Sequence, residues 1–122
     1  MPEFVASESA PPDTITFDDF LKVDLRLGRI VSALPFPQAR KPAYQLHIDF
    51  GPLGLKASSA QITELYTPED LVGRQVVAVV NFPPRRIAGF SSEVLVLGLD
   101  NGQGQVALLG LDRDLPLGSR VY

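Results

Sequence analysis

The side chains best suited to bind a ligand lie in a proline-rich stretch. Residues 81–92 read NFPPRRIAGFSS, so two prolines precede Arg85 and Arg86, and an aromatic residue, Phe90, follows them. Proline restricts the backbone, which lowers the entropy that a loop loses on binding. Guanidinium groups bind phosphates and carboxylates strongly. The stretch is therefore a candidate binding loop. The alternative is that both arginines only pair with carboxylates of the protein itself.

A second stretch has the same composition. Residues 35–42 read PFPQARKP and supply Phe36, Arg40 and Lys41. Loop aromatics rimmed by cations suit an extended polypeptide as well as stacked bases, and the aromatics alone do not separate these two ligands. Phe82, by contrast, ends a run of valines, and we assign it to the core.

Three polar residues, Lys56, Ser58 and Ser59, mark the end of the third predicted strand. Hydroxyls at a junction between a strand and a helix are typical of helix caps, where they satisfy free N–H groups. The alternative is that they contact the backbone of a ligand, with Lys56 adding positive charge. Both interpretations stay open at this point.

The sequence has no pattern typical of a catalytic or metal site. It contains no cysteine, which excludes disulfides, thiol catalysis and cysteine-ligated zinc. The single histidine, His47, has no acid and serine partners in a recognisable motif. No His, Asp and Glu residues have metal-ligand spacing. We therefore predict a protein that is not an enzyme and that uses no cofactor or metal.

Composition and charge narrow the class of protein. The chain has 122 residues, 45% of them hydrophobic, which is enough for one domain with a full core. Its net charge of −3 argues against binding nucleic acid through a broadly basic surface, although a local basic patch remains compatible. The N-terminus lacks the pattern of a secretory signal and no apolar run is long enough to cross a bilayer, which favours a cytoplasmic protein.

Backbone signals predict a short helix followed by five strands. Thr16 can cap a helix over FDDFLK, with Asp19 at its third position. Between the third and fourth strands, SAQITELY has apolar residues at helical spacing, and TPEDLVG has helix start and stop residues. Gly28 inside the first strand predicts a bulge. The five strands are predicted over residues 24–33, 43–50, 55–58, 74–82 and 93–99. In the second strand apolar and polar residues alternate, which predicts a half-buried strand whose buried face carries Tyr44, Leu46, Ile48 and Phe50.

This order of elements is typical of the OB-fold. A helical connection between strands 3 and 4 characterises that five-stranded Greek-key barrel, and an SH3-like barrel lacks it. An Asn-Gly turn at residues 100–104 and two short strands, VALLGL and GSRVY, form a small C-terminal appendix. We predict an all-β OB-fold domain over residues 14–122, preceded by a flexible tail at residues 1–13. Ligands of OB-folds lie across strands 2 and 3 between the loops that the two proline-rich stretches form here.

Three strings in order, VDLRLGRI, KASSAQIT and GRQVVAVVNFPPRRIAGFSSEVLVLG, resemble the tRNA-binding-domain family of OB-folds. Within that family, residues 15–122 are similar to the CsaA-type export-related bacterial chaperones. The resemblance implies a homodimer that binds unfolded or export-bound polypeptide. It also implies a tRNA-binding ancestry or side activity.

These observations give one leading hypothesis and two rivals. The first is an ATP-independent chaperone or secretion-related factor, in which the apolar terminal segments FDDFLKV and LPLGSRVY contribute to a dimer. The alternative is a tRNA-binding protein that contacts the phosphate backbone through the same loops. A structural subunit of a larger assembly has the least support. The predicted site residues, for polypeptide or for tRNA, are Phe36, Arg40, Lys41, Lys56, Ser58, Ser59, Arg85, Arg86 and Phe90.

Overall fold

Antiparallel strands dominate the structure, a computed structural model that describes residues 13–122. In chain order the elements are α1 (Phe17–Leu21), β1 (Leu25–Pro35), β2 (Tyr44–Asp49), β3 (Leu55–Ala60), α2 (Pro68–Leu71), β4 (Gln75–Val79), β5 (Arg85–Ile87), β6 (Phe90–Ser92), β7 (Leu95–Val96), β8 (Gly98–Asp100) and β9 (Val106–Leu108). One five-stranded sheet has the order β3-β2-β1-β4-β7, while β5–β6 and β8–β9 form two-stranded sheets. With α2 between β3 and β4, this is the predicted OB-like barrel, and the predicted fold class is confirmed.

The alternation of β2 builds the centre of the core. Leu46, Ile48 and Phe50 are fully buried, as their period-2 pattern predicted. They pack against Ile30 of β1 and Val76 of β4. The core therefore lies inside the curved sheet, and the outer face of β2 is left for other contacts.

Gly28 serves close packing rather than a bulge. It pairs regularly with Val76, whereas the register shift of β1 against β2 falls between Ile30 and Ser32. A Cβ atom on Gly28 would lie 2.5 Å from Ile48 Cγ2 and 2.7 Å from Phe50 Cε1. The glycine thus lets β1 pass close to the core, and the bulge curves the strand a few residues later.

Both predicted helix caps are present. Thr16 and Asp19 form a capping box at α1, and Thr67 and Asp70 form another at α2. In each box the backbone N–H of the threonine donates to the aspartate, which lowers the pKa of Asp19 and of Asp70. The helix predicted over SAQITELY is wrong, since its first two residues end β3 and the rest is irregular with a turn at residues 63–65. Ile62 is buried but Leu65 is exposed, so the helically spaced residues share no buried face.

The C-terminal part follows the prediction in outline. The predicted fifth strand is split into β7 and β8, and the Asn-Gly segment closes the β8–β9 hairpin as predicted. The strand predicted over GSRVY is reduced to a single bridge between Arg26 and Arg120. The predicted flexible tail falls almost wholly on residues 1–12, outside the described residues, and the domain boundary at residue 14 stays a prediction.

Candidate functional site

The proline-rich stretch predicted as an irregular loop folds into a β-hairpin. Strand β5 pairs with β6 around a two-residue turn, Ala88-Gly89. These residues have φ values of 48° and 82°, the positive values that a type I′ turn requires at both positions. Pro83 and Pro84 precede the first paired residue, so their missing N–H groups cost the hairpin no hydrogen bond. The prediction of a loop is therefore wrong for residues 85–92.

The register of the hairpin gives it two distinct faces. The paired residues are Arg85 with Ser92, Arg86 with Ser91, and Ile87 with Phe90. Residues directly opposite each other project to the same side, and successive residues alternate. The face of Arg85, Ile87, Phe90 and Ser92, which we call the inner face, is turned toward the barrel. The two adjacent arginines therefore project in opposite directions.

Phe90 fastens the inner face to the barrel. Its ring centroid lies 5.5 Å from that of Phe36 and 6.3 Å from that of His47, both in edge-on geometry. Such pairs are favourable beyond the area they bury. Phe36 is only 3% exposed, and this burial argues against its predicted role as a groove aromatic. Phe90 is half-buried and is the only one of the two predicted aromatics that a ligand can reach.

Ser58 and Ser59 join the hairpin region to the barrel and cap no helix. Both lie inside β3. Ser58 is 1% exposed and its Oγ donates to the carbonyl of Val94 at 3.0 Å. The N–H of Ser59 donates to Ser92 Oγ at 2.9 Å. Burial thus removes the Ser58 hydroxyl from the set of groups that can contact a ligand at the surface.

Glu93 also bonds to β3, and we call its contacts and those of Ser58 and Ser59 the seam. Its N–H donates to the carbonyl of Ala57 at 2.8 Å, and its Oε1 accepts the N–H of Ala57 at 2.9 Å. These bonds satisfy the free edge of β3 where no regular ladder continues. The side chain and the backbone of Glu93 therefore help to close the barrel next to the base of the hairpin.

A groove with a volume of about 730 Å³ opens between the hairpin and this seam. The inner-face residues Arg85, Ile87 and Ser92 form part of one wall, and the end of β3 and strand β7 form others. The lining is mostly apolar, with one guanidinium and one carboxylate, which is the usual character of a ligand site. Further apolar lining residues include Ile62, Phe82, Pro84, Leu95, Val96 and Val106.

Several groove residues were missed by the sequence analysis. Phe82 was predicted to be core, but it is 53% exposed and lines the groove. The reason is that β4 ends at Val79, so Phe82 lies beyond the last paired residue. The proline that follows it was a usable signal for the end of the strand. Ile62 and Val106 come from distant parts of the chain, and no local pattern marks them as neighbours.

The two hairpin arginines are not engaged by the protein. Within residues 13–122, neither the Arg85 side chain nor the Arg86 side chain makes an ion pair or a hydrogen bond, whereas Arg26, Arg29 and Arg120 each contact an aspartate. The alternative that both arginines pair with the protein's own carboxylates is therefore contradicted over the described part of the chain. Only Arg85 of the two lines the groove.

Of the other three predicted cations, two lie at the groove end of the sheet and one lies away from it. Arg40 and Lys41 are exposed in the connection from β1 to β2. Since Tyr44 pairs with Ala60, this connection lies at the same end of the sheet as the groove end of β3. Lys56 pairs with Ile48 instead, four residues before Ala60, or roughly 13 Å along the strand. Lys56 does not line the groove.

Residues 13–122 show neither a metal centre nor a membrane-spanning helix. No group of three or more His, Asp or Glu side chains in this range is arranged to hold a metal ion. No helix in it is both long and apolar enough to cross a membrane.

Comparison with known proteins identifies the family. The family model described as "Putative tRNA binding domain" matches residues 25–120. The methionine–tRNA ligase of Parabacteroides distasonis is 36% identical over 109 residues, which cover 89% of this chain and 16% of the ligase. That of Pyrococcus abyssi is 37% identical over 107 residues, which cover 88% of this chain and 14% of the ligase. The chain belongs to the tRNA-binding-domain family and spans about a sixth of the length of these ligases.

Two solved structures narrow the resemblance within the family. The chaperone CsaA from Bacillus anthracis str. Ames is 55% identical, with a TM-score of 0.85 over 90% of this chain and 100% of that one. The CsaA chaperone protein from Picrophilus torridus is 49% identical, with a TM-score of 0.83 over 89% of this chain and 100% of that one. The predicted resemblance to CsaA-type chaperones is confirmed.

Proposed function

We propose that this protein is an ATP-independent, non-enzymatic chaperone or export-related factor that binds unfolded polypeptide in the groove under the β5–β6 hairpin. The observation that carries the proposal is the groove itself, which is mostly apolar, open to solvent and about 730 Å³ in volume. Unfolded chains expose apolar side chains, and burial of those side chains supplies the binding free energy. Similarity to two proteins described as CsaA chaperones supports the same function.

The shape of the hairpin suits this role. Pro83 and Pro84 limit the backbone freedom of the segment that enters the hairpin, so less entropy is lost when a ligand binds. Phe90 holds the inner face against the barrel at one end, and Ser92 bonds to β3 at the other. A groove that is formed in advance between fixed elements binds an extended segment with little rearrangement.

A second candidate function is tRNA binding through the same end of the barrel. The observation that favours it is that four exposed cations at this end make no ion pair within residues 13–122, namely Arg40, Lys41, Arg85 and Arg86. Membership of the tRNA-binding-domain family supports it as well. The net charge of −3 opposes it, because the rest of the surface repels a polyanion.

We further propose that the protein acts as a homodimer in the cytoplasm. Apolar side chains at both ends of the described chain lie open to solvent, among them Phe17 and Tyr122, and a second copy would bury them. Two grooves in one dimer would bind two segments of the same unfolded chain and raise its avidity.

A pair of variants tests the groove directly. Leu95 and Leu99 are both half-exposed in short strands, at 50% and 51%, but only Leu95 lines the groove. We expect Leu95→Asp to weaken binding of a fluorescently labelled, reduced and unfolded protein fragment at least tenfold, because it charges the apolar wall. Leu99→Asp, the matched control, should bind like the wild type. Anisotropy titrations measure both.

The same titrations with tRNA separate the two candidate functions. Binding to a duplex weakens with salt by about −0.9 in log–log slope for each phosphate neutralised, whereas apolar binding changes little. Steeply salt-dependent tRNA binding together with no binding of the unfolded fragment would reject the chaperone proposal. Equal loss of fragment binding in both leucine variants would show that the groove is not the site.

A further inference from the structure

Arg85 is the one cation in the wall of the groove, and it has no partner in the described part of the protein. It shares the inner face with Ile87 and Ser92, and none of the ion pairs among residues 13–122 involves it. The only carboxylate of the groove lining belongs to Glu93, which accepts the N–H of Ala57 and is held at the seam. The guanidinium of Arg85 is therefore available to a ligand.

The surroundings of Arg85 make a carboxylate its best partner. Arg85 is exposed in the wall of a mostly apolar groove, and a charge-assisted hydrogen bond to a carboxylate is stronger than a bond between neutral groups. The planar guanidinium matches a carboxylate with two parallel N–H donors. A nucleic acid would bring several phosphates along its path, whereas this lining offers one cation and one carboxylate.

The distance between Arg85 and Ile87 along β5 indicates which peptide sequences fit the groove. Arg85 and Ile87 project to the same side with one residue between them, which corresponds to roughly 7 Å along a strand. Side chains two apart in an extended peptide have the same spacing. A peptide that lies along β5 can therefore set a carboxylate against Arg85 while an apolar side chain two residues away packs near Ile87.

We propose that Arg85 is a specificity-determining residue, which makes the groove prefer extended, apolar segments that carry an Asp or Glu two residues from a large apolar side chain. The proposal rests on the function proposed above, that the groove binds polypeptide. It assigns the neighbouring Arg86 no such role, because Arg86 lies on the opposite face of the hairpin and does not line the groove.

The test uses a matched pair of peptides and a matched pair of variants. The peptides are apolar ten-residue segments with blocked termini and no other charged side chain, and they differ only in one Glu or Gln placed two residues from a Leu. The full-length wild type and the variants R85Q and R86Q are titrated with each peptide at low salt. We expect the wild type and R86Q to bind the Glu peptide roughly tenfold more tightly than the Gln peptide. R85Q should bind both peptides with the affinity that the wild type has for the Gln peptide.

Each outcome separates this proposal from the one on which it depends. If the wild type binds both peptides equally, Arg85 sets no preference, although peptide binding itself stands. If R86Q loses the preference as fully as R85Q, the effect is diffuse electrostatics and the assignment to Arg85 is wrong. If no peptide binds to the wild type, the proposed function fails first. A single-stranded oligonucleotide is titrated against the same three proteins. If the wild type shows no preference for the Glu peptide and only R85Q binds the oligonucleotide more weakly, Arg85 contacts phosphate and the proposal is wrong.

Discussion

Neighbouring residues of the same type have different environments and contacts in this protein. Arg85 lines the groove while Arg86 faces away from it. Ser58 is buried with its hydroxyl bonded to Val94, while Ser59 contributes its backbone N–H to Ser92. Residue type alone therefore does not predict whether a side chain is buried or lines the groove, because adjacent strand residues point to opposite sides.

The serine pair gives a prediction at the scale of single residues. Ser58→Ala removes the donor to a buried carbonyl, so we expect it to lower the free energy of unfolding by about 1–2 kcal/mol. Ser59→Ala, in which the bonded N–H is kept, should change it by less than about 0.5 kcal/mol. Urea unfolding followed by circular dichroism measures both. Equal stability of the two variants would contradict a stabilising contribution from the hydrogen bond between Ser58 and Val94.

At the scale of elements, the β5–β6 hairpin is the feature that shapes the groove. Its turn has positive φ at Ala88, the only residue other than glycine with such a conformation among residues 13–122. An alanine with this backbone conformation is strained by roughly 1 kcal/mol, since its Cβ approaches the neighbouring carbonyl. The hairpin therefore has a turn that is not optimal for its own stability.

Ala88→Asn is expected to stabilise the hairpin. Asn-Gly is the preferred pair for a type I′ turn, so the change should raise the free energy of unfolding by about 0.5–1 kcal/mol. Gly89→Val should have the opposite effect, because a β-branched residue tolerates positive φ poorly. Thermal unfolding and amide exchange of Ile87 and Phe90 measure the change. Slower exchange in the valine variant would contradict the turn assignment.

At the scale of the molecule, the exposed apolar side chains suggest where the interface of the proposed homodimer would lie. Tyr122 is 95% exposed, and Phe17 of α1 lies beside Phe20 with its ring tilted and mostly open to solvent. The end of the chain is tied to β1 by the bridge between Arg26 and Arg120, and Arg120 also donates to the carbonyl of Leu21. The two termini of the described chain therefore meet on one side of the barrel, as a shared interface would require.

The double variant Phe17→Asp with Tyr122→Asp is expected to be monomeric. Two charges per subunit in an apolar interface of this kind would each remain unpaired on association, which strongly disfavours the dimer. Light scattering after size exclusion measures the mass. Leu99→Asp, which charges an apolar residue elsewhere, is the control and should leave the mass unchanged. A double variant with the mass of the wild type would place the interface elsewhere.

Local patterns were sufficient for most of the framework. The alternation of Tyr44, Leu46 and Ile48 predicted β2 and its buried face, and the Thr and Asp spacing predicted both capping boxes. The Asn-Gly pair predicted the β8–β9 turn. These features depend on residues within one turn or one strand, so their physical causes lie in the sequence itself.

Local patterns failed where distant segments decide the structure. The helical spacing of Ile62 and Leu65 did not give a helix, because Ile62 is buried by the barrel and not by a helical face. Phe36 was expected at a surface, but the ring of Phe90, far along the chain, covers it. Phe82 was expected in the core, but the ladder of β4 ends before it. Each error concerns burial, which depends on neighbours that no short window contains.

The stretch NFPPRRIAGFSS shows both what the sequence predicts and what only the tertiary structure decides. Its composition alone predicted a binding element, since proline, arginine and an aromatic residue together suit a preformed site. Only the tertiary structure decided that it is a hairpin, that Phe90 packs inward and that Arg85 rather than Arg86 lines the groove. The physical reason is that the register of the hairpin and its contacts with β3, across more than thirty residues of chain, fix which side of each residue meets solvent.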